Sequence, residues 1–290
     1  MKSGVQHKSI YRVLSVILLV ILAFLFVFPL YWIVTGAFKT TQEINSVTPV
    51  WFPSTWTLDN FTRLFSRRTA PLFPMGPVGP AAIRWLVNTV FMAVAAMVLT
   101  CITASMAGYA LAKKRFRGRA ILFGLIVCAM ALPKQVILIP LIREISALGL
   151  YDNIWAVIFP TVGWPFGVFL MKQFSESIPG EILEAARIDG ANEARTFATI
   201  VVPMVKPGIG ALAIFTFINS WNDYFMQLIM LSSNNNYTIS LGISTLQAET
   251  SVDTGMLMAG AALAAAPIII IFLIFQKYFT QGITMGAVKG

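Results

Sequence analysis

Apolar runs of membrane-crossing length alternate with short polar stretches along the chain. A helix needs about 20 predominantly apolar residues to cross a bilayer core, and charge-poor stretches of that order occupy residues 14–34, 85–112, 120–142, 153–171, 203–231 and 254–276. The pattern predicts an all-α integral membrane protein with six transmembrane helices. Only the third and fifth runs carry a charge, Lys134 and Asp223. The first run follows Lys2, Lys8 and Arg12 as a secretory signal would. It exceeds the roughly 7–15 residues of a signal core and lacks a small-x-small cleavage site, so it reads as an uncleaved span.

The polar stretches differ in kind. Residues 39–84 hold Pro53, Pro71, Pro74, Pro77 and Pro80, too many prolines for another helix, and predict an extended segment over the outer surface. A second outer segment begins with SSNNNYT at 232–238, has no Lys or Arg before the last span, and holds Glu249 and Asp253.

On the opposite side, the loop at 173–202 contains EILEAARIDGANEARTFATIVV and five of the twelve acids, counting Glu176. Pro179 suits a first helical turn, and Glu181 and Glu184 set negative charge near the positive end of the helix dipole. A short helix should run to about Asp189 and end where Gly190 takes the left-handed conformation. Residues 191–202 should form a second helix before Pro203 opens the fifth span. Ile182, Leu183 and Ala186 share one side of the first helix, and the small Ala185 and Ala186 would let another backbone approach closely. Such a helix, turn and helix could rest on lipid headgroups or form a docking knob for a partner protein. Its acidity suits anionic lipid poorly and favours the knob, with Glu184 placed for a basic or hydrogen-bonding group.

Composition agrees with the bilayer as solvent: 57% of residues are hydrophobic and 11% charged, against about 25% charged in soluble domains. The formal net charge is +9, but placement matters more than the total. One face receives fourteen Lys and Arg, five of them between Lys113 and Arg119, and the other six. The positive-inside rule makes the first face cytoplasmic, with both termini inside, although Arg67 and Arg68 then lie outside.

Cys101 and Cys128 sit in apolar runs and read as small core hydrophobes. His7 lies in a polar tail with no carboxylate or cysteine beside it. No cluster of His, Cys or carboxylate is available for acid–base or metal chemistry, which disfavours a membrane-embedded enzyme. The phosphate-loop pattern G-x-x-x-x-G-K-[ST] does not occur, so ATP is bound elsewhere or not used. A single intramembrane carboxylate, Asp223, fits an ion-coupled carrier poorly.

The polar residues inside the spans are the other candidates. In INSWNDYF at 218–225, Asn219, Ser220, Trp221, Asn222, Asp223 and Tyr224 crowd one or two helical turns. Polar groups beside aromatic faces suit a sugar, whose hydroxyls need hydrogen bonds and whose C–H face packs on a ring. The same residues fit an aromatic belt and interhelical hydrogen bonds. Lys134, between Pro133 and Pro140, either lines a pathway, pairs with a neighbouring helix or snorkels outward. AGAALAAAP at 259–267 allows close helix packing against a partner subunit.

The segment EAARIDG at 184–190, followed after nine residues by IVVP at 200–203, resembles the EAA loop of permease subunits of bacterial ABC importers. The usual I-x-L-P has Val202 in place of Leu. FPLYWIVTGAFK at 28–39, WNDYF at 221–225 and QKYFTQGITMGAVKG at 276–290 extend the likeness over nearly the whole chain. The combination is similar to carbohydrate-uptake permeases, on the side of the smaller maltose-importer permease. The resemblance implies an ABC type I importer permease fold over residues 1–290, with a cytoplasmic coupling helix between the fourth and fifth spans. It implies a bacterial cytoplasmic membrane, a second related permease, an ATPase dimer and an extracytoplasmic sugar-binding protein. Glu184, Ala185, Ala186, Asp189 and Gly190 would then dock the ATPase, and residues 282–290 would reach its dimer interface. ATP and Mg would belong to that ATPase, with no cofactor or metal on this chain. The outer segment after the fifth span would probe the binding protein and help to release its sugar. Asn219, Trp221, Asn222, Asp223, Tyr224 and Lys134 would face the transport pathway, although the larger partner permease often supplies most sugar contacts. The competing reading is a homo-oligomeric secondary carrier or channel for a small polar solute.

Overall fold

The computed structural model describes residues 3–69, 78–248 and 252–287; Pro71, Pro74, Pro77, Glu249 and the final residues 288–290 lie outside them. The chain begins with α1 (Ser3–Ala37), α2 (Thr41–Ile44) and α3 (Asp59–Ser66), then a short antiparallel pair, β1 (Arg68–Thr69) and β2 (Gly79–Pro80). Next come α4 (Ala81–Lys113), α5 (Arg119–Met130), α6 (Lys134–Ala147), α7 (Trp155–Val162) and α8 (Pro165–Glu176). The polar loop carries α9 (Gly180–Ile188), α10 (Glu193–Thr196), a π-turn at Phe197–Val201 and α11 (Val202–Met204). The chain continues through α12 (Lys206–Asn222), α13 (Tyr224–Met230), α14 (Ile239–Gln247) and α15 (Thr254–Ala287).

Among the described residues, four helical stretches are long and apolar enough to cross a membrane alone: Tyr11–Ala37, Ala81–Lys113, Trp155–Glu176 and Thr254–Phe275. Two bent pairs, Arg119–Met130 with Lys134–Ala147 at 106° and Glu193–Met204 with Lys206–Asn222 at 78°, raise the number to six if each pair is one span. The third apolar run is therefore no straight helix. Its bend falls just before Lys134, where Pro133 disfavours helical geometry in the residue ahead of it. The fifth run is also divided, because α12 stops at Asn222 and the Asp223 side chain accepts from the Met226 N–H (3.3 Å) to start α13.

The polar segment at 39–84 is more helical than its proline count suggested, and the one at 232–253 is helical too. In the first, α3 occupies the proline-free DNFTRLFS, and a capping box between Thr40 and Glu43 starts α2. Hydrogen bonds from the Ser54 side chain and from the Thr40 and Ser54 backbone hold the Glu43 carboxyl down to about 2. In the second, α14 follows a 3₁₀ turn at Asn234–Asn236.

Two compact units emerge, Met1–Ala82 with Ile243–Ala266, and Ile83–Gly242 with Pro267–Gly290. In the first, the buried Asn60 amide donates to the carbonyls of Ala37 (2.9 Å) and Lys39 (2.8 Å), satisfying groups that the end of α1 leaves without helical partners. Arg63 then pairs with Asp253 at 2.7 Å, just ahead of α15. Gly260, from the small-residue run, packs against Ile243 of the same unit, so part of that run is used within the chain.

The second unit holds two apolar clusters. Met92, Ile158 and Met230 centre one, and Tyr109, Met171, Leu183 and Val201 belong to the other. At Gly108 a Cβ would lie 2.6 Å from the Lys172 N atom, so glycine is what allows α4 and α8 to approach. Cys128 departs from the core reading, since it is exposed on α5; a lipid-facing surface is as apolar in sequence as a core.

Candidate transport cavity and docking loop

The break before α6 and the break after α12 border the same cavity, of about 440 Å³. Lys134 stands at the first residue of α6, and Asp223 occupies the break between α12 and α13. Their side chains form an ion pair at 2.8 Å, with Asp223 17% exposed. Around the pair, α12 supplies Asn219 and Ser220, and the start of α8 supplies its N-cap Trp164 and Phe166. The two rings are tilted, with centroids 5.0 Å apart. Ser220 is 3% exposed, and its buried Oγ has no hydrogen-bond partner. A concave wall combining ring faces, a hydroxyl, an amide and a neutralised charge pair can hold a hydroxylated solute by packing and hydrogen bonds.

Of the polar residues singled out in the sequence, Lys134, Asn219 and Asp223 meet at this cavity. Asn222 is exposed and donates to the Ile218 carbonyl on its own helix (3.0 Å), and Tyr224 is exposed on α13. Trp221 is 1% exposed and packs on Phe217, with ring centroids 5.5 Å apart. The structure does not bring these three to the cavity wall. Sequence reading passed over Trp164 and Phe166. The signal available was PTVGWPFG at 160–167, where Gly163, Pro160 and Pro165 punctuate an apolar span beside two aromatic rings.

The polar loop is a second site. Helix α9 ends as anticipated: Gly190 has φ +77°, its N–H donates to the Arg187 carbonyl (3.0 Å), and the Ala191 N–H reaches the Ala186 carbonyl (2.9 Å). This paired C-terminal pattern requires a left-handed residue, which glycine adopts without penalty. Asn192 then caps α10 through the Arg195 N–H (2.8 Å). Leu183 is buried in the cluster around Tyr109 and Val201 and Ala186 is buried as well, whereas Ile182 is 39% exposed and does not share their side.

Glu184, Ala185, Asp189 and Gly190 are exposed, as is Ile188 at 87%. Ala186 thus seats α9 on its own chain while Glu184, Ala185 and Ile188 form an outward face. Ile188 was missed, although its spacing of four from Glu184 places the two together.

The loop is tied to the end of α4. Lys113 Nζ donates to the carbonyls of Glu176 (3.0 Å) and Ile178 (2.6 Å), and Lys114 forms an ion pair with Glu193. The Lys114 hydrogen bond, against a smaller effect of burial and aided by the charges of Lys114 and Arg187, holds the Glu193 carboxyl below its usual range. These two lysines do more than set topology. They brace the loop that carries α9.

Comparison with known proteins gives the family. Residues 102–285 match the family described as binding-protein-dependent transport system inner membrane component. The arabinooligosaccharides transport system permease protein AraQ of Bacillus subtilis is 34% identical over 284 residues, covering 97% of each chain. The maltodextrin transport system permease protein MdxG of the same organism is 31% identical, covering 98% of each. A chain in the crystal structure of a bacterial ABC transporter involved in the import of the acidic polysaccharide alginate superposes with a TM-score of 0.79 at 23% identity. That match covers 94% of this chain and 98% of the other. An α-helical chain with apolar spans, a loop helix bearing EAARIDG and these relatives is a multi-pass membrane protein that belongs to the family of binding-protein-dependent transport system inner membrane components, the permeases of ABC importers.

Proposed function

We propose that the chain is a permease subunit of an ATP-driven importer that moves a carbohydrate, of the oligosaccharide class, by alternating access. The observation that carries the coupling is α9: one face is buried in the second unit, and the opposite face presents Glu184, Ala185 and Ile188. A helix held in this way transmits a push, because packed interiors yield little. Closure of a docked ATPase dimer would move α9, and with it α4 and α8, to which the loop is bound. The names of AraQ and MdxG support an oligosaccharide cargo, and the cavity chemistry suits one.

In this reading the loop is cytoplasmic, both termini are inside, and ATP with Mg is bound by the ATPase. A second related permease completes the membrane domain, and an extracytoplasmic sugar-binding protein delivers the solute. The outer segment after α13 contacts that protein. This segment is well anchored: the Trp85 indole donates to the Asn234 side chain (2.7 Å), and the Ser232 and Ser233 N–H groups donate to Asp152 (2.8 and 3.0 Å).

Gentle purification from native membranes, with mass-spectrometric stoichiometry, tests the assembly. The expected result is one different permease and two copies of one ATPase per chain. Recovery of this chain alone, together with ion-dependent uptake, would favour a homo-oligomeric carrier.

A further inference from the structure

Resting on the carbohydrate reading above, we infer that the Lys134–Asp223 pair makes the cavity a subsite for a neutral sugar unit and excludes acidic ones. The fold leaves the charge of the cargo open, since an importer of an acidic polysaccharide shares it. The side chains must decide. Lys134 is the cation that lines the cavity, and Asp223 neutralises it at 2.8 Å. A uronate carboxylate entering here meets no net positive charge. To pair with Lys134, whose side chain is 54% exposed, it must lie beside the Asp223 carboxylate, and like charges at close range repel.

A neutral sugar has none of these costs. Its hydroxyls can bond the exposed Asn219 amide on the cavity wall, and the Trp164 and Phe166 rings offer a surface for C–H faces.

Asp223 has a second duty, capping α13 through the Met226 N–H. Asn caps as well as Asp. Asp223→Asn therefore removes the charge, retains the cap and leaves Lys134 unneutralised, so the variant isolates the electrostatic role.

The test uses the assembled importer in lipid nanodiscs, with Asn219→Cys as a reporter in a Cys101→Ala, Cys128→Ala background. Its rate of modification is measured with anionic sulfonatoethyl and cationic trimethylammonioethyl methanethiosulfonates, each normalised to a free thiol. Adding Asp223→Asn should raise the anionic-to-cationic rate ratio by about twenty-five-fold, about fivefold for each reagent in opposite senses, the scale of one charge at a few ångströms in a wet site. An unchanged ratio overturns the inference.

Protection of the same cysteine is then compared between arabinotriose and trigalacturonic acid. Protection by the neutral sugar with Asp223, and by the acid only after Asp223→Asn, is expected. Equal protection by both sugars, by the acid alone with Asp223 in place, or by neither would sink the subsite. Importer activity is assayed separately as ATP-dependent uptake of solute from the binding protein. Loss of the subsite therefore leaves the transport reading standing, and absence of ATP-dependent uptake overturns that reading on its own.

Discussion

The loop that carries α9 and the cavity stand at opposite extremes of how a chain builds a functional surface. The loop is local: a run of some two dozen residues forms α9, its left-handed stop at Gly190 and the cap at Asn192, with α4 as a brace. The cavity is assembled from three places far apart in sequence, the break before α6, the turn between α7 and α8, and the break after α12. A local device tolerates change elsewhere in the chain but fails when its own turn is altered. An assembled one depends on every helix that contributes a wall, and its separate parts can be exchanged if charge and shape are conserved.

The largest expected effect tests the local side. Gly190→Pro forces φ to about −65° where the loop needs +77° and removes the N–H that reaches Arg187. This variant and Glu184→Lys, each made singly, should leave membrane levels normal and reduce solute uptake to background; normal uptake by either would remove α9 from the mechanism.

On the assembled side, Trp164→Ala should lower transport about tenfold through loss of a ring face, read as initial uptake rate at fixed protein level. Lys134→Met strands Asp223 within the membrane and should reduce the amount of folded protein, whereas Lys134→Met with Asp223→Asn should restore it, because removing both partners spares the isolated charge. Equal loss in the single and double variants would show that the pair is not a unit.

The smallest effect concerns the brace. Glu193 is exposed, and an exposed ion pair is worth at most about 1 kcal/mol. Glu193→Gln should therefore increase protease nicking at the loop by about threefold without abolishing uptake. The Glu193 carboxyl is held below its usual range in the folded state. Its contribution is present above the ordinary carboxylate value of about 4.3 and disappears as pH falls through the lowered folded value. Limited proteolysis at falling pH should show increased nicking in that window with Glu193 and a flat response in Glu193→Gln.

The same contrast explains what the sequence disclosed. The end of α9 was legible because only a left-handed residue closes that turn, and Gly190 follows the last helical positions directly. Span lengths were legible because bilayer thickness fixes them. The bends at Pro133 and Asp223 were less so, since proline and one polar residue mark a discontinuity without giving its angle.

Helix faces were the weakest point. Cys128, exposed on α5, and Trp221, buried on α12, exchange the environments expected of them, because lipid and protein interior select the same side chains and periodicity alone does not separate them. A pairing of Lys134 with a neighbouring helix was one of several open readings, and its partner Asp223, 89 residues away, emerged only once the helices were placed.

The coupling of ATPase to permease through α9 can be tested directly by replacing Ile188, on the outward face, with a photocrosslinking residue and irradiating intact membranes. A single major adduct with an ATPase that carries a phosphate-binding loop is the predicted result. Adducts only with lipid, or with a second copy of this chain, would contradict it.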